Sequence, residues 1–170
     1  TGVQTCALPI SVYYVKDQII QPIMLKGSRT FVVADTGIPG STSDQVSRVN
    51  RMWKSTKSVV EEIFDSIGSI AEKAKAILSN DSDASIGELM TKNHELLQKL
   101  GVSSPQLDLL VNSAINAGAN GAKMTGGGGG GNIITEVPPQ RAKEIESKLI
   151  AAGAVRTWIT KLNSKGTSDD

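Results

Sequence analysis

Apolar positions along the chain follow two periods, and the switch between them lays out the elements. From Ser11 onward, Val12 to Val15 and Ile19 to Leu25 are short β-prone runs with a turn candidate at Lys16-Asp17 between them, and Pro22 confines the second to an edge or irregular strand. After the turn Lys26 to Arg29, the run Thr30-Phe31-Val32-Val33-Ala34 is apolar almost throughout, as expected of a strand buried on both faces. It leads into Asp35-Thr36-Gly37-Ile38-Pro39-Gly40-Ser41-Thr42, a loop of turn residues and hydroxyls that ends at a helix N-cap between Ser41 and Ser43. The period then becomes helical. Val46, Val49, Trp53, Val60, Ile63, Phe64, Ile67, Ile70, Ala74, Ile77 and Leu78 recur at three- and four-residue steps and predict one long helical region that Gly68 bends or breaks, with Trp53 and Phe64 in the core.

Asn80 to Asp83 is a polar turn, and Ser85 with Glu88 forms a capping-box pattern for a helix that turns Ile86, Leu89, Met90, Leu96, Leu97 and Leu100 inward. Asn93 falls on that stripe, where a buried amide is either a satisfied structural group, the favoured reading, or one pointing toward an active cleft; His94, one position round, reads as a solvated surface residue. Ser104-Pro105 supplies an N-cap and a first-turn proline for the next helix, which Gly118 closes. Small residues from Ala114 to Ala122 lead to a run of glycines, and 132–137 is strand-like. Pro138-Pro139 opens a further helix, stopped by Gly153, and 155–160 is the last strand. Because the helices do not alternate with the strands, the predicted class is α+β: a ferredoxin-like antiparallel sheet covered by helices, occupying 11–162, with 163–170 as a frayed tail.

The glycine run is the costliest stretch to order. Gly126, Gly127, Gly128, Gly129, Gly130 and Gly131 are consecutive, and each gives up about 0.5–1 kcal/mol relative to alanine in a regular element. A flexible linker is one reading of such a run. The other is a ligand-facing loop in which backbone without Cβ lets main-chain N–H groups approach a phosphate closely. The flanks favour the second, since the run sits between an alanine-rich helical segment and the strand-like residues from Ile133 to Val137 rather than between polar or proline-rich sequence. In the same way, Asp35, Thr36 and Thr42 are either ordinary strand-to-helix turn chemistry or groups facing a substrate at the end of their strand.

Composition narrows the function classes. The 170 residues suffice for one domain with a real core. Eighteen basic against 17 acidic residues, net +1, form no basic stripe and give no case for nucleic acid or a membrane surface. No apolar run approaches the roughly 20 residues of a membrane span. The single cysteine, Cys6, excludes an internal disulfide and a cysteine-built metal site, and with no signal peptide pattern it points to the cytoplasm. His94 is the only histidine, and no nucleophile-elbow pattern accompanies it. Residues 1–10, TGVQTCALPI, resemble translated adapter DNA and are set aside as a non-native leader.

The segment from Gly121 through Lys123, Thr125 and the glycines resembles the third signature of the small-molecule kinase superfamily that includes galactokinase, homoserine kinase, mevalonate kinase and phosphomevalonate kinase. Asp35 to Thr42, Asn93 with Leu96-Leu97 and Leu100 to Ser103, and Ala152 to Ile159 are similar to mevalonate kinases in the same order along the chain. The glycine run departs from the usual pattern in having glycine at both 127 and 129. The family's N-terminal lysine, its phosphate loop and its aspartate in a Gly-x-Asp-Asn stretch have no counterpart in this chain. The resemblance therefore implies a C-terminal kinase domain, inactive alone, whose missing N-terminal domain supplies the base. It implies ATP and Mg²⁺ as cofactors and mevalonate as the small-molecule partner, phosphorylated on its 5-hydroxyl for isoprenoid precursor synthesis. Thr125 and Gly126 to Gly131 would line the phosphate side of the cleft, with Asp35, Thr36 and Thr42 near the substrate and Lys123 either on phosphate or at the surface. No catalytic residue and no metal ligand is assigned. Phosphomevalonate or another small alcohol as substrate, and a non-catalytic module of the same fold, are the alternatives; oligomeric state stays open, a homodimer included.

Overall fold

The computed structural model describes residues 12–15, 17–80, 84–163 and 166–169; the leader 1–10 and the turn residues 81–83 lie outside them. Two short strands, β1 (Val12–Tyr13) and β2 (Gln21–Pro22), pair into a separate antiparallel ribbon, with Pro22 in an edge strand as its missing N–H requires. β3 (Arg29–Asp35) is the central strand of the main sheet, and all but Val33 and Asp35 are buried. Its neighbours are β5 (Asn132–Val137) and β6 (Arg156–Asn163), both antiparallel, in registers that set Val32 opposite Thr135 and Ile159. β4 (Gly121–Met124) pairs outside β5, and β7 (Gly166–Asp169) outside β6, giving the order β4-β5-β3-β6-β7. The first four of these strands have the ferredoxin-like order, as expected. The tail departs from expectation: main-chain pairing extends the sheet through Asp169 although the tail is polar, because an exposed β6 edge offers a template to any chain folded back on it.

Five helices complete the chain. α1 (Thr42–Ser55) is capped by Ser41, whose Oγ accepts the Asp44 N–H at 3.3 Å. The break before α2 (Lys57–Ser79) falls at Thr56 and not at Gly68. Three donors converge on the Met52 carbonyl there: the Thr56 N–H at 2.8 Å, its own hydroxyl at 3.0 Å and the Ser55 hydroxyl at 3.0 Å. Side-chain hydroxyls competing for a helical carbonyl end the helix, whereas Gly68 sits exposed within α2 at a cost of about 1 kcal/mol that packing of Val60 and Ile63 offsets. α3 (Gly87–Lys99) begins without reciprocal capping: Ser85 Oγ accepts the Gly87 N–H at 2.9 Å but donates to Glu136, and Glu88 takes no part. α4 (Pro105–Asn116) starts as predicted, with the Ser104 hydroxyl accepting the Leu107 N–H. α5 (Ala142–Ala151) follows a short 3₁₀ turn, Pro139–Arg141.

The core lies where α4 and α5 cover the face of the sheet bearing Val32, Ala34 and Ile133; Leu107, Leu110, Ile145 and Leu149 are fully buried. Each such side chain contributes about 1.5–3 kcal/mol on leaving water. The other face is only partly covered, leaving Trp158 41% exposed. α3 runs along the outer edge of β4. Gly87 and Gly121 meet so closely that a Cβ on Gly121 would fall 1.8 Å from the Gly87 carbonyl oxygen, which requires glycine at both positions. Phe64, expected in the core, is 44% exposed in a groove between α1 and α2.

Candidate functional site

The six glycines form the turn of a hairpin, joining β4 to β5; they do not join a helix to a strand. The hairpin is closed at its base by Thr125 N–H donating to the Asn132 carbonyl at 2.9 Å. Two glycine amides are consumed in fixing it. Gly129 N–H donates to Val102 O at 2.8 Å, on the α3–α4 corner, and Gly131 N–H donates to Ile38 O at 2.7 Å, on the β3–α1 loop. Space around the main chain is filled to contact. A Cβ on Gly127 would fall 2.4 Å from Thr42 Oγ1, one on Gly128 2.1 Å from Val102 O, and one on Gly130 2.3 Å from Ile38 O. Glycine is thus needed at these positions by close approach, and at Gly128 also by its φ of 89°. A linker would have neither the bonds nor the packing.

What remains free defines the chemistry. Among the described residues the N–H groups of Gly126, Gly127, Gly128 and Gly130 donate to no protein acceptor. With Gly40, Thr125 and Asn132 these glycines line a cavity of about 340 Å³. Thr42, exposed in the first turn of α1, lines the adjoining apolar groove with Gly126 and Gly127. The N-terminus of this 14-residue helix and the unpaired amides both present positive partial charge, so the cavity suits an anion.

Of the other residues singled out, Thr36 is 5% exposed, and its hydroxyl and N–H both donate to Gly131 O, at 2.8 and 2.9 Å, while its Oγ1 accepts from Ile38 N–H. Thr36 is a strut for the hairpin, with no donor left to face a substrate. Asp35 accepts the Gly37 N–H at 2.8 Å and lies 3.9 Å from exposed Arg156, so its carboxylate shapes the turn that carries Thr36 to Thr42. Lys123 lines a second cavity, about 450 Å³, with Asn93 and Thr125, and burial pushes its ammonium below the usual lysine value. Asn93 is buried, on the predicted stripe.

Two clusters escaped the sequence reading. His94 is 3% exposed instead of solvated: α3 turns it towards β4, where its ring lies between Met124 and Asp108. Arg29 and Glu136 form a buried ion pair at 3.5 Å, with Arg29 also donating to Lys26 O and Ala84 O and Glu136 accepting from Ser85. The first could have been suspected from the spacing of Thr91 and His94 on one helix face. No local pattern marks the second.

A hairpin of unpaired glycine amides at the edge of a ferredoxin-like sheet, facing a helix N-terminus, is an arrangement whose partial charges suit an anion. Residues 74–155, just under half of the chain, match the family described as GHMP kinases C terminal. The chain is similar to mevalonate kinases. It is 41% identical to the mevalonate kinase of Thermococcus onnurineus over 140 residues, 79% of this chain and 41% of that protein. The crystal structure of L. major mevalonate kinase in complex with R-mevalonate superposes with a TM-score of 0.82 at 26% identity, covering 91% of this chain and 48% of that one. The Methanococcus jannaschii mevalonate kinase gives 0.68 at 30% identity, covering 85% and 44%. The chain thus spans less than half the length of these relatives. No helix among the described residues is long and apolar enough to cross a membrane.

Proposed function

We propose that this chain is the C-terminal half of an ATP-dependent mevalonate kinase site, with the glycine hairpin holding the phosphate side of the cleft. The observation that carries the reading is the locked hairpin with four unspent amides at the N-terminus of α1. Similarity to mevalonate kinases across most of the chain supports the choice of substrate.

ATP, when bound, supplies the γ-phosphoryl group. Transfer of that group demands little covalent chemistry from the protein; it depends on positioning and on neutralising charge spread over the phosphoryl oxygens. The amides of Gly126, Gly127, Gly128 and Gly130 meet that demand with donors already oriented, so no reorganisation is needed when charge builds. Thr125 and Thr42 add exposed hydroxyl donors at the same rim. Thr36 and Asp35 act one step back, the first holding the hairpin and the second shaping the loop that presents Thr42. No group of three or more His, Cys, Asp or Glu residues that could hold a metal ion occurs among the described residues. Magnesium, expected on the phosphates, is given no protein ligand here. The base that takes the proton of the 5-hydroxyl belongs to a further domain, as does the selection of mevalonate over phosphomevalonate.

Grafting residues 12–163 in place of the matching portion of the Thermococcus onnurineus mevalonate kinase tests the reading. The chimera is expected to release ADP in the presence of mevalonate, and Thr42→Ala in it to lower turnover while leaving stability within about 0.5 kcal/mol, as for an exposed side chain. The 170-residue chain alone is expected to give none. A folded chimera that turns over phosphomevalonate and not mevalonate would reassign the substrate, and a folded chimera inert with both would leave a non-catalytic module.

A further inference from the structure

Among the described residues no strand pairs with the outer edge of β4, yet its outward N–H groups are not left bare. α3 supplies side-chain acceptors in place of a strand: Thr91 Oγ1 accepts from Ala122 N–H at 3.4 Å, and His94 Nδ1 accepts from Met124 N–H at 3.3 Å. Residues three apart on a helix face thereby meet residues two apart on a strand. A backbone N–H can only donate, so Nδ1 must be unprotonated and the ring proton of neutral His94 sits on Nε2. There it donates to Asp108 Oδ1 at 3.1 Å, an oxygen that also accepts from Ser103 Oγ at 2.5 Å. Ser103 adjoins Val102, whose carbonyl receives Gly129 N–H. Four hydrogen bonds, together with the covalent Val102–Ser103 link, thus form a ring that ties both the first arm and the middle of the glycine hairpin to the α3–α4 corner.

We propose that neutral His94 is the positioning residue of this hairpin, and that a proton on its Nδ1 opens the ring and frees the arm at Met124. A protonated Nδ1 would set a donor against the Met124 donor, and the strand end, with no other acceptor for that N–H among the described residues, would have to move. Three charged groups face the ring: Asp108 from α4 and Glu95 on α3 itself favour the imidazolium, while Lys123 on β4 opposes it. Burial outweighs them, so the ring titrates below the ordinary histidine range. The inference does not depend on what the hairpin binds; it concerns the order of the loop, which the isolated chain displays.

The test is amide hydrogen exchange by NMR on the full chain, expressed as protection relative to an unstructured peptide at each pH, with the ring titration of His94 followed in the same samples. Protection at Met124 and Gly129 is expected to fall at least tenfold from pH 8 to pH 5, following the ring titration, while Val32 in the central strand stays protected. His94→Gln keeps an uncharged acceptor and donor of similar reach; it is expected to remove the pH dependence and keep protection throughout. His94→Leu is expected to lose Met124 protection already at pH 8, with Val32 unaffected. A ring that titrates without change at Met124, the same loss in His94→Gln, or full Met124 protection in His94→Leu would each overturn the proposal. Val32 losing protection in parallel would also count against it, as a sign of global unfolding.

Discussion

Replacing Gly128 by alanine isolates what holds the hairpin. The residue has φ of 89°, where a side chain costs about 1–2 kcal/mol. Its new Cβ would fall 2.1 Å from Val102 O and 2.9 Å from Met124 Cε. The first neighbour is backbone and can yield only by shifting the α3–α4 corner away, which breaks the 2.8 Å bond from Gly129 N–H to that same carbonyl and forfeits about 0.5–1.5 kcal/mol more. The sum is about 2.5 kcal/mol. Gly126 is the internal control: its φ of 82° is similarly positive, but nothing lies within 4 Å of the added Cβ. Gly126→Ala should therefore cost only the backbone term, about 1.5 kcal/mol. Urea unfolding of both variants against the parent measures the difference directly, as a shift in midpoint at constant slope. If Gly128→Ala is no more destabilising than Gly126→Ala, the hairpin is not packed against Val102 and the locked-loop argument fails.

Other outcomes follow from the same geometry. Glu136→Ala removes the carboxylate 3.5 Å from the buried Arg29 guanidinium and should lower stability by about 3 kcal/mol in the same urea assay. Thr36→Val removes one of the two donors to Gly131 O and should cost about 1 kcal/mol, while raising exchange of the Gly131 amide more than that of Val32. Lys123→Met relieves a partly buried ammonium whose charged form burial disfavours, so the variant should unfold at higher urea than the parent at pH 7. The pH dependence of stability has a definite sign. His94 is held below its ordinary value of about 6.5, so the unfolded chain binds the proton first; the contribution is complete above pH 6.5 and declines as pH falls towards the lowered value. His94→Gln should flatten that part of the urea-midpoint profile, and an unchanged slope below pH 6.5 would contradict the assignment.

Much of the architecture is legible where local chemistry and tertiary context agree. The apolar run of β3, the cap and first-turn proline at Ser104-Pro105, and the glycine stops at Gly118 and Gly153 all read directly. β4 does not, since Gly121-Ala-Lys-Met carries almost no strand preference; it is a strand because β5 pairs with it and Gly87 lets α3 close over its edge. The break at Thr56 depends on three donors finding one carbonyl, which periodicity cannot register. At the site, the glycine run and Thr42 were visible as residue types, but the division of labour was not. That two of the six amides and the hydroxyl of Thr36 are spent on the protein itself depends on partners 27 to 95 positions away, Val102, Ile38 and Gly131. His94 was misplaced for the same reason: its neighbour in space is a strand edge invisible to helix periodicity.

The account turns on bare main chain being held as firmly as the sheet it joins. Backbone ¹⁵N relaxation across Gly126 to Gly131 measures that directly. Order parameters near 0.85, level with those of β3 and β5, are predicted; values below about 0.6 would make the run a flexible connector and contradict the account.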